Sequence, residues 1–178
     1  MDAAPTCFSW LESPLGPLLL LCDAAGVLTG VRMRTRAHMT TSTAWRHDDA
    51  MLAEARHQLQ AYFAGDLQSF DLVLALPGTP FQQRVWQALR ELAYGETVSY
   101  GELARRIGEP GAARAVGLAN HNNPLPIVVP CHRVMGADGS LTGFGGGIER
   151  KRWLLTHEAR HARGPKQGDA PYVADLFA

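Results

Sequence analysis

The sequence predicts an α/β (α+β) protein of two domains. An N-terminal three-stranded antiparallel sheet with one helix precedes a helical C-terminal domain that contains a helix-turn-helix. Three observations predict this fold: apolar runs separated by turn residues over 7–33, apolar residues at helical spacing before Gly65, and two helix-start signals after residue 78. Because LPGTP interrupts the chain, we place the domains at 1–78 and 79–163, followed by a tail at 164–178.

The first predicted elements form an antiparallel meander. The turn tetrapeptide SPLG lies at residues 13–16, and residues 24–26 supply a second reversal. If the Pro and Leu of SPLG form the centre of the first turn, the register sets Cys7 opposite Cys22. Two facing thiols can hold a metal ion, but this pair has no His or Cys partner at zinc-binding spacing and is an incomplete zinc site.

A helix and a further strand complete the N-terminal domain. Asp48 and Asp49 can cap a helix that Gly65 ends. Apolar residues recur along it at helical spacing, namely Leu52, Ala55, Leu59, Tyr62 and Phe63. The segment FDLVLAL, residues 70–76, then predicts a strand.

The C-terminal domain begins with strong helix-start signals. Thr79, Pro80 and Gln82 supply an N-cap, a proline at the first helical position and a side chain that can reach back to the cap. Ser99 and Glu102 repeat this spacing at the start of SYGELARRIG, and the helix GAARAVGLAN follows after a turn. Two short helices joined by a tight turn with glycine predict a helix-turn-helix, and a plain helical hairpin inside a core is the alternative.

The second helix of this pair has a surface of small residues. Ala113, Ala115 and Gly117 surround Arg114. Small residues let a helix approach a nucleic-acid backbone closely, and a single arginine there can enter the duplex or contact phosphate. Residues 79–163 also carry 11 Lys and Arg against 7 Asp and Glu, a mild basic excess that favours a polyanion as partner.

Composition and cysteine count limit the class of protein. Hydrophobic residues make up 46% and charged residues 19%, which is ordinary for a globular protein. The longest aliphatic run, residues 18–22, is far shorter than the roughly 20 residues that cross a bilayer, so no membrane span is expected. With no secretory signal pattern and only three cysteines, we expect a cytoplasmic location and no disulfide framework.

The segment IVVPCHRVMG places Cys131 after an apolar run and before His132 and Arg133. Burial raises the pKa of a thiol, so a functional Cys131 needs a base or a positive neighbour; an inert buried thiol is the alternative. In a continuing strand Cys131 and His132 would point to opposite faces. For the His132 imidazole to interact with the Cys131 thiol, the chain must turn at Pro130 or Cys131, or a water must bridge the two side chains.

A glycine-rich loop and an amphipathic helix follow the cysteine. The loop GFGGG, residues 143–147, permits close approach to a flat ligand, but no Walker lysine pattern follows, so it does not predict a phosphate cradle. The helix carries Trp153 and ends near Glu158. Taken alone, this position is more typical of a solvated charge than of a catalytic residue.

Five segments between about Thr79 and Glu158 resemble, in order, the methylated-DNA protein-cysteine methyltransferases, which repair O6-alkylguanine by taking the alkyl group onto a cysteine. They are SYGELA at 99–104, AARAVG at 112–117, NP at 123–124, PCHRV at 130–134 and WLLTHE at 153–158. PCHRV preceded by NP eight residues before the cysteine is highly specific. SPLG extends a looser similarity into the N-terminal half.

The resemblance implies roles for four residues around the thiol. Cys131 would be the alkyl acceptor, and His132 would deprotonate it through a water. Glu158 would orient the imidazole and stabilise its charge. Asn123 would hold the turn before the active site.

The resemblance also implies a guanine pocket. Tyr100 would line it and donate to the flipped base, while the backbone carbonyls of Cys131 and Val134 would accept from the exocyclic amine. The loop that contains Phe144 and Gly145 would complete the pocket. The backbone N–H of Gly145 would remain available to stabilise a leaving anion.

The implied substrate is O6-alkylguanine in double-stranded DNA. Because O6 lies within a stacked base pair, the nucleotide must be extruded, and Arg114 would replace it in the stack. The surrounding Ala113, Ala115 and Gly117 would lie against the minor groove. No cofactor is expected, the protein would act as a monomer, and each chain would act once because a thioether has no simple route back.

The sequence departs from the family pattern at several positions. Phe144 replaces a tyrosine found in many relatives, and Gly145 replaces a serine found in some. Relatives with an N-terminal zinc site have Cys and His where this chain has Ala4, Asp23 and Leu28. We therefore predict no metal.

Three other functions compete with this interpretation. A lesion-binding relative would keep the fold but lacks the acceptor cysteine. A helix-turn-helix regulator would need base-reading side chains where the second helix has Ala and Gly. A cysteine hydrolase would have to use Cys131, His132 and Asn123, which lie close together in sequence.

Overall fold

The structure, a computed structural model, describes residues 4–33 and 39–162. The predicted tail at 164–178 and the last residue of the predicted C-terminal domain lie outside the described residues. Among the helices of the described residues, none is long and apolar enough to cross a membrane.

The chain divides into two compact units. The first is Met1–Gly78 with Pro124–Val128, and the second is Thr79–Asn123 with Val129–Ala178. The strands are β1 Cys7–Leu11, β2 Leu18–Cys22, β3 Leu28–Met33, β4 Arg46–His47, β5 Val98–Ser99 and β6 Val134–Met135. The helices are α1 Ala53–Ala64, α2 Pro80–Arg90, α3 Tyr100–Arg106, α4 Ala113–His121 and α5 Ile148–His161, with a 3-10 turn at Cys131–Arg133.

The three predicted antiparallel strands form the sheet of the first unit. The amide of Gly16 donates to the carbonyl of Ser13 over 2.9 Å, which places Pro and Leu of SPLG at the centre of the turn. This turn sets Cys7 opposite Cys22, as predicted. All of β2 is buried, so it forms the centre of this core. Within the described ranges no three His, Cys, Asp or Glu side chains are grouped so that they could hold a metal ion.

A short fourth strand, which the sequence analysis did not predict, extends this sheet to the order β3-β2-β1-β4. β4 is parallel to β1. The amide of Asp48, just after β4, donates to the carbonyl of Phe8 over 2.9 Å. A pairing of two residues across a long sequence separation leaves no periodic pattern in the chain, so it is absent from the local signals.

The predicted caps of α1 are wrong at its start and correct at its end. Asp48 accepts from the amide of Met51 over 2.9 Å and closes a turn before the helix. Asp49 accepts instead from Ser9 and Arg56, over 2.5 and 3.0 Å. The N-cap is Leu52, without a side-chain hydrogen bond, and Gly65 ends the helix in the left-handed conformation at φ 83°.

The prediction of a full strand at residues 70–76 is wrong. Only an isolated parallel bridge joins Leu74 to Leu28, the first residue of β3. Val73 is 74% exposed, so the apolar run is not covered on both faces as a buried strand would be. Hydrophobicity alone did not distinguish this edge segment from a strand of the sheet.

The helix starts of the second unit follow the predicted signals. Thr79 and Gln82 form the complete capping box of α2, with Pro80 at its first turn. Ser99 accepts from the amide of Glu102 over 3.1 Å and caps α3. The Glu102 carboxylate pairs with Arg105 instead of reaching back, so this second box is only half formed.

Helices α2, α3 and α4 pack together in the second unit. The buried indole of Trp86 in α2 donates to the carbonyl of Ala119 in α4 over 2.8 Å. The turn between α3 and α4 contains Gly108 at φ 78°, a left-handed conformation that favours glycine. The hydrogen bond from Trp86 to Ala119 and the burial of one face of α4 fix the orientation of this helix. Its opposite face therefore points to solvent.

Candidate active site around Cys131

The chain turns at the cysteine, which is one of the two arrangements that the sequence left open. Pro130 precedes a 3-10 turn over Cys131–Arg133, and the amide of Arg133 donates to the carbonyl of Pro130 over 3.1 Å. Cys131 and His132 therefore do not continue a strand, and they do not point to opposite faces of one. Both side chains are buried, with Cys131 4% exposed.

Asn123 braces the chain just before this turn. Its side-chain amide donates to the carbonyl of Val129 over 2.8 Å. Asn123 also hydrogen-bonds the Cys131 thiol closely enough to lower its pKa. Asn123 thus contacts the backbone two residues before the cysteine, at the position where its predicted role in holding the turn would place it.

The environment of the Cys131 thiol disfavours the thiolate when the site is at rest. Burial raises the pKa of the thiol to about 11. Asn123, the charge of Lys151 and the backbone N–H groups of Cys131 and His132 act in the opposite direction. The thiol therefore remains protonated at neutral pH and needs a base before it can attack.

A buried carboxylate, Glu158 of α5, joins the two residues that follow the cysteine. Nε2 of His132 lies 2.7 Å from Oε1 of Glu158. Nε and Nη2 of Arg133 donate to the two oxygens of the same carboxylate over 2.8 and 2.9 Å. Glu158 is fully buried, so its interpretation as a solvated helix-end charge is wrong.

The charges of this triad follow from its geometry. Burial by itself would raise the pKa of Glu158, but His132 and Arg133 together hold that pKa well below its usual range. Burial lowers the pKa of His132, although the Glu158 carboxylate opposes this. We therefore describe the resting site as an ionised Glu158 paired with Arg133 and a neutral His132.

The neutral ring of His132 has one donor and one acceptor nitrogen. Because Nε2 faces a carboxylate, Nε2 carries the proton and Nδ1 keeps a lone pair; this tautomer is assigned from the hydrogen bond. Nδ1 is buried and has no hydrogen-bond partner within the described residues. His132 therefore presents a basic nitrogen that no described protein group occupies.

The residues predicted to form the guanine pocket lie in the same unit. Tyr100 donates to the carbonyl of Thr142 over 3.2 Å, an acceptor that the sequence analysis did not name. Gly143 has φ 68°, and a Cβ there would lie 2.5 Å from the Tyr100 hydroxyl, so this loop needs glycine. Phe144 is buried and Gly145 is exposed.

Two functional candidates were not found from the sequence. Lys151, inside the charged run ERKR, is fully buried, and its Nζ donates to the carbonyls of Val134 and Thr142 over 2.5 and 2.7 Å. Burial lowers the pKa of Lys151 to about 8. Asn120 of α4 is 1% exposed and donates to the carbonyl of Cys131 over 3.2 Å. For a lysine or an asparagine, the sequence alone does not show whether the side-chain donor is buried or lies at the surface.

The predicted DNA-contacting residues lie on α4. Arg114 and Ala115 are exposed, and Ala113 and Gly117 are half-buried. The opposite face of α4 buries Val116, Ala119 and Asn120. The helix therefore offers one long cation on a surface of small side chains.

Family comparisons agree with this fold. Residues 7–76 match the family described as "6-O-methylguanine DNA methyltransferase, ribonuclease-like domain", and residues 80–160 match its "DNA binding domain". The two matches together define a class of two-domain DNA methyltransferases.

Individual relatives extend the comparison over most of the chain. A methylated-DNA protein-cysteine methyltransferase of Mycobacterium tuberculosis is 56% identical over 152 residues, which are 85% of this chain and 92% of the relative. One of Methanosarcina acetivorans is 49% identical over 151 residues, 85% of this chain and 97% of the relative. This chain belongs to the 6-O-methylguanine DNA methyltransferase family.

Solved structures give the same result. OGT of Mycobacterium tuberculosis in complex with DNA has a TM-score of 0.81 and 51% identity, covering 97% of this chain and all 100% of that one. The O6-methylguanine-DNA methyltransferase of Pyrococcus kodakaraensis has a TM-score of 0.66 and 28% identity, covering 85% of this chain and 98% of that one. The predicted fold class and family resemblance are confirmed.

Replacing Glu158 by Gln should destabilise the protein by about 3–5 kcal/mol at pH 7, because it leaves Arg133 buried without its counter-charge. The folded pKa of Glu158 lies below its ordinary value of 4.5, so the carboxylate stabilises fully above that pH and loses its contribution as the pH falls below it. Urea unfolding at pH 7 and at successively lower pH measures both effects.

The matched control for this variant is Glu149→Gln. Glu149 lies in the same helix, but its side chain is 84% exposed in an ion pair with Arg152. Its loss should change stability by no more than about 0.5 kcal/mol. A Glu158→Gln protein as stable as this control, or a difference that does not shrink below pH 4.5, would contradict the assigned charges.

Proposed function

We propose that this protein repairs DNA by direct, irreversible transfer of the alkyl group from O6-alkylguanine in duplex DNA to Cys131, once per chain. The observation that carries the proposal is the buried Cys131 beside a neutral His132, whose Nε2 is held by the Arg133-bound Glu158. This arrangement has a nucleophile, a base and an orienting carboxylate. The family and the DNA complex of its relative support the same activity.

The chemical step is a displacement at the alkyl carbon. The Cys131 proton passes through a water to Nδ1 of His132, and the sulfur then forms a bond to the alkyl carbon. The bond between that carbon and O6 breaks, and its electron pair remains on the guanine. A proton donor at N3, assigned to Tyr100, and the Gly145 backbone N–H near O6 would stabilise the leaving anion.

The raised thiol pKa is compatible with this step. Proton transfer converts a neutral thiol and imidazole into a thiolate and an imidazolium, and the imidazolium forms 2.7 Å from the Glu158 carboxylate. The buried Lys151 adds a positive charge that favours the thiolate. Activation therefore creates charge where opposite charges are already fixed. The product is a thioether that water does not readily cleave, so the chain is consumed.

We propose that α4 is the helix that contacts DNA. Its small side chains would approach the minor groove closely, largely independently of sequence, and the exposed Arg114 would occupy the space left by the extruded nucleotide. Extrusion is required because a stacked base hides its O6 substituent, and a damaged pair costs less to open. Ala113, Ala115 and Gly117 would permit the approach but supply no base-reading side chain.

We assign DNA binding and chemistry to residues 79–163 and a supporting role to residues 1–78. One thiol meets one base, so a monomer suffices and no cofactor takes part. A chain with only three cysteines has no disulfide framework of the kind found in secreted domains, which supports a cytoplasmic location.

Cys131→Ser should abolish transfer, because a serine hydroxyl is a far weaker nucleophile, while duplex binding stays within about threefold of the original. Intact and peptide mass spectrometry after mixing with excess duplex containing O6-methylguanine measures transfer. The unchanged protein should gain one methyl group on the Cys131 peptide and then saturate. The control Cys7→Ser should do the same. A methyl group gained by Cys131→Ser would refute the acceptor assignment.

Arg114→Ala should slow repair of duplex DNA by about tenfold or more, since the extruded state loses the side chain that fills the stack. Reaction with free O6-benzylguanine needs no extrusion and should be nearly unchanged. Arg160→Ala, an exposed arginine in α5, is the control and should affect neither rate. Equal slowing of both reactions by Arg114→Ala would count against its role in extrusion.

A further inference from the structure

The exposed face of α4 carries an apolar side chain that the proposed mechanism does not use. Within the described residues, the large hydrophobic side chains that are exposed belong to Leu118, at 63%, and Val73, at 74%. A single exposed apolar residue needs no explanation by itself. Leu118 differs from Val73 because it lies on the helix that carries Arg114.

Packing of the opposite face fixes the position of Leu118 on α4. Val116 and Ala119 are buried, and the carbonyl of Ala119 accepts from the indole of Trp86 over 2.8 Å. Exposed residues recur along the helix at helical spacing, at positions 114, 115, 118 and 121. Leu118 therefore lies on the same face as Arg114, one turn and about 6 Å further along the helix axis.

The stability of α4 does not account for a leucine at this position. The neighbouring Ala115 and Gly117 are small, so the leucine side chain stands above the helix surface. An alanine would form the helix at least as well, and an exposed side chain gains little from burial within the fold. The leucine thus adds apolar surface to the face on which DNA binding is proposed.

An opened duplex offers an apolar partner for this side chain. Many proteins that bind in the minor groove insert Leu, Ile, Phe, Met or Pro against partly unstacked base steps. Extrusion of a nucleotide exposes the faces of neighbouring bases and the carbons of adjacent deoxyriboses to water. The minor groove is roughly 6 Å wide, a width comparable with the spacing of Arg114 and Leu118 along α4. Both side chains can therefore meet the DNA at one lesion.

We infer that Leu118 is an apolar wedge that packs against the sugars and base edges beside the extruded nucleotide, while Arg114 occupies the gap in the stack. This inference rests on the proposed function. It gives α4 a contribution to lesion binding that is separate from the attraction of basic residues to phosphates. An apolar contact releases no counterions, so its loss weakens binding without changing the dependence on salt.

Leu118→Ala should lower the second-order rate of repair of duplex DNA containing O6-methylguanine by about tenfold, because the leucine contact with the opened duplex is lost. Two other substrates have no minor groove, namely a single strand containing the same base and free O6-benzylguanine. Their rates should change by less than about twofold. Single-turnover kinetics over a range of protein concentrations measures all three rates.

The salt dependence of binding distinguishes an apolar wedge from an electrostatic contact. Dissociation constants for the lesion duplex are measured between about 50 and 200 mM NaCl, with Cys131→Ser in every protein so that no transfer occurs. Leu118→Ala should weaken binding by about tenfold at each salt concentration and leave the slope of log Kd against log salt unchanged. Leu118→Lys should make that slope steeper by about one.

Matched variants keep the test interpretable. Val73→Ala removes the other exposed apolar side chain and should leave all rates unchanged. Leu118→Met keeps an apolar side chain and should keep most of the duplex rate, whereas Leu118→Asn, which is polar and of similar size, should behave like Leu118→Ala. Because Leu118 is exposed, each variant should melt within about 2 °C of the unchanged protein.

Several results would overturn the inference. Equal slowing of the duplex and free-base reactions by Leu118→Ala would assign the defect to the active site. Full duplex activity of Leu118→Asn, or a changed salt slope in Leu118→Ala, would show that no apolar contact with DNA is made. A dimer in sedimentation that Leu118→Ala abolishes, with an unchanged duplex rate, would assign this face to a second copy of the chain. Failure of the unchanged protein to transfer methyl from any substrate would instead contradict the proposed function.

Discussion

The active site depends on one buried carboxylate. Glu158 accepts from His132 and Arg133 and also from the amide of Gly95, over 3.1 Å. An isolated ionised carboxylate is expensive to bury, and these donors offset that cost. Through its contacts with His132 and Arg133, Glu158 connects α5 to the 3-10 turn that contains Cys131. Breaking this group would release both the turn and the orientation of the base.

The same carboxylate explains how the buried Cys131 thiol could become reactive. Burial raises the pKa of Cys131 to about 11 and lowers that of His132, so both are neutral at rest. Neutrality protects the cysteine from indiscriminate reaction, since the thiolate is the nucleophile. In the proposed transfer, the charges form when a proton moves toward Nδ1 of His132. Glu158 and Lys151 are already placed to stabilise those charges.

Local signals predicted much of the fold but little of this charge network. The SPLG turn set the register of Cys7 and Cys22, and the Thr79 cap set the start of α2, because neighbouring residues determine both. The burial of Glu158 and Lys151 depends on which face of α5 meets the rest of the unit. No periodic pattern identifies that face for a charged residue, so motif resemblance was needed to single out Glu158, and Lys151 was missed.

The proposed chemistry depends on Glu158 holding His132 as a neutral ring protonated at Nε2. The most direct measurement is the 15N and 1H NMR spectrum of the His132 imidazole at pH 7, assigned by the signals that disappear in His132→Asn. We expect a pyrrole-like Nε2 and a pyridine-like Nδ1. A doubly protonated ring, or a proton on Nδ1 alone, would contradict it, because His132 could then not accept the proton of Cys131 at that nitrogen.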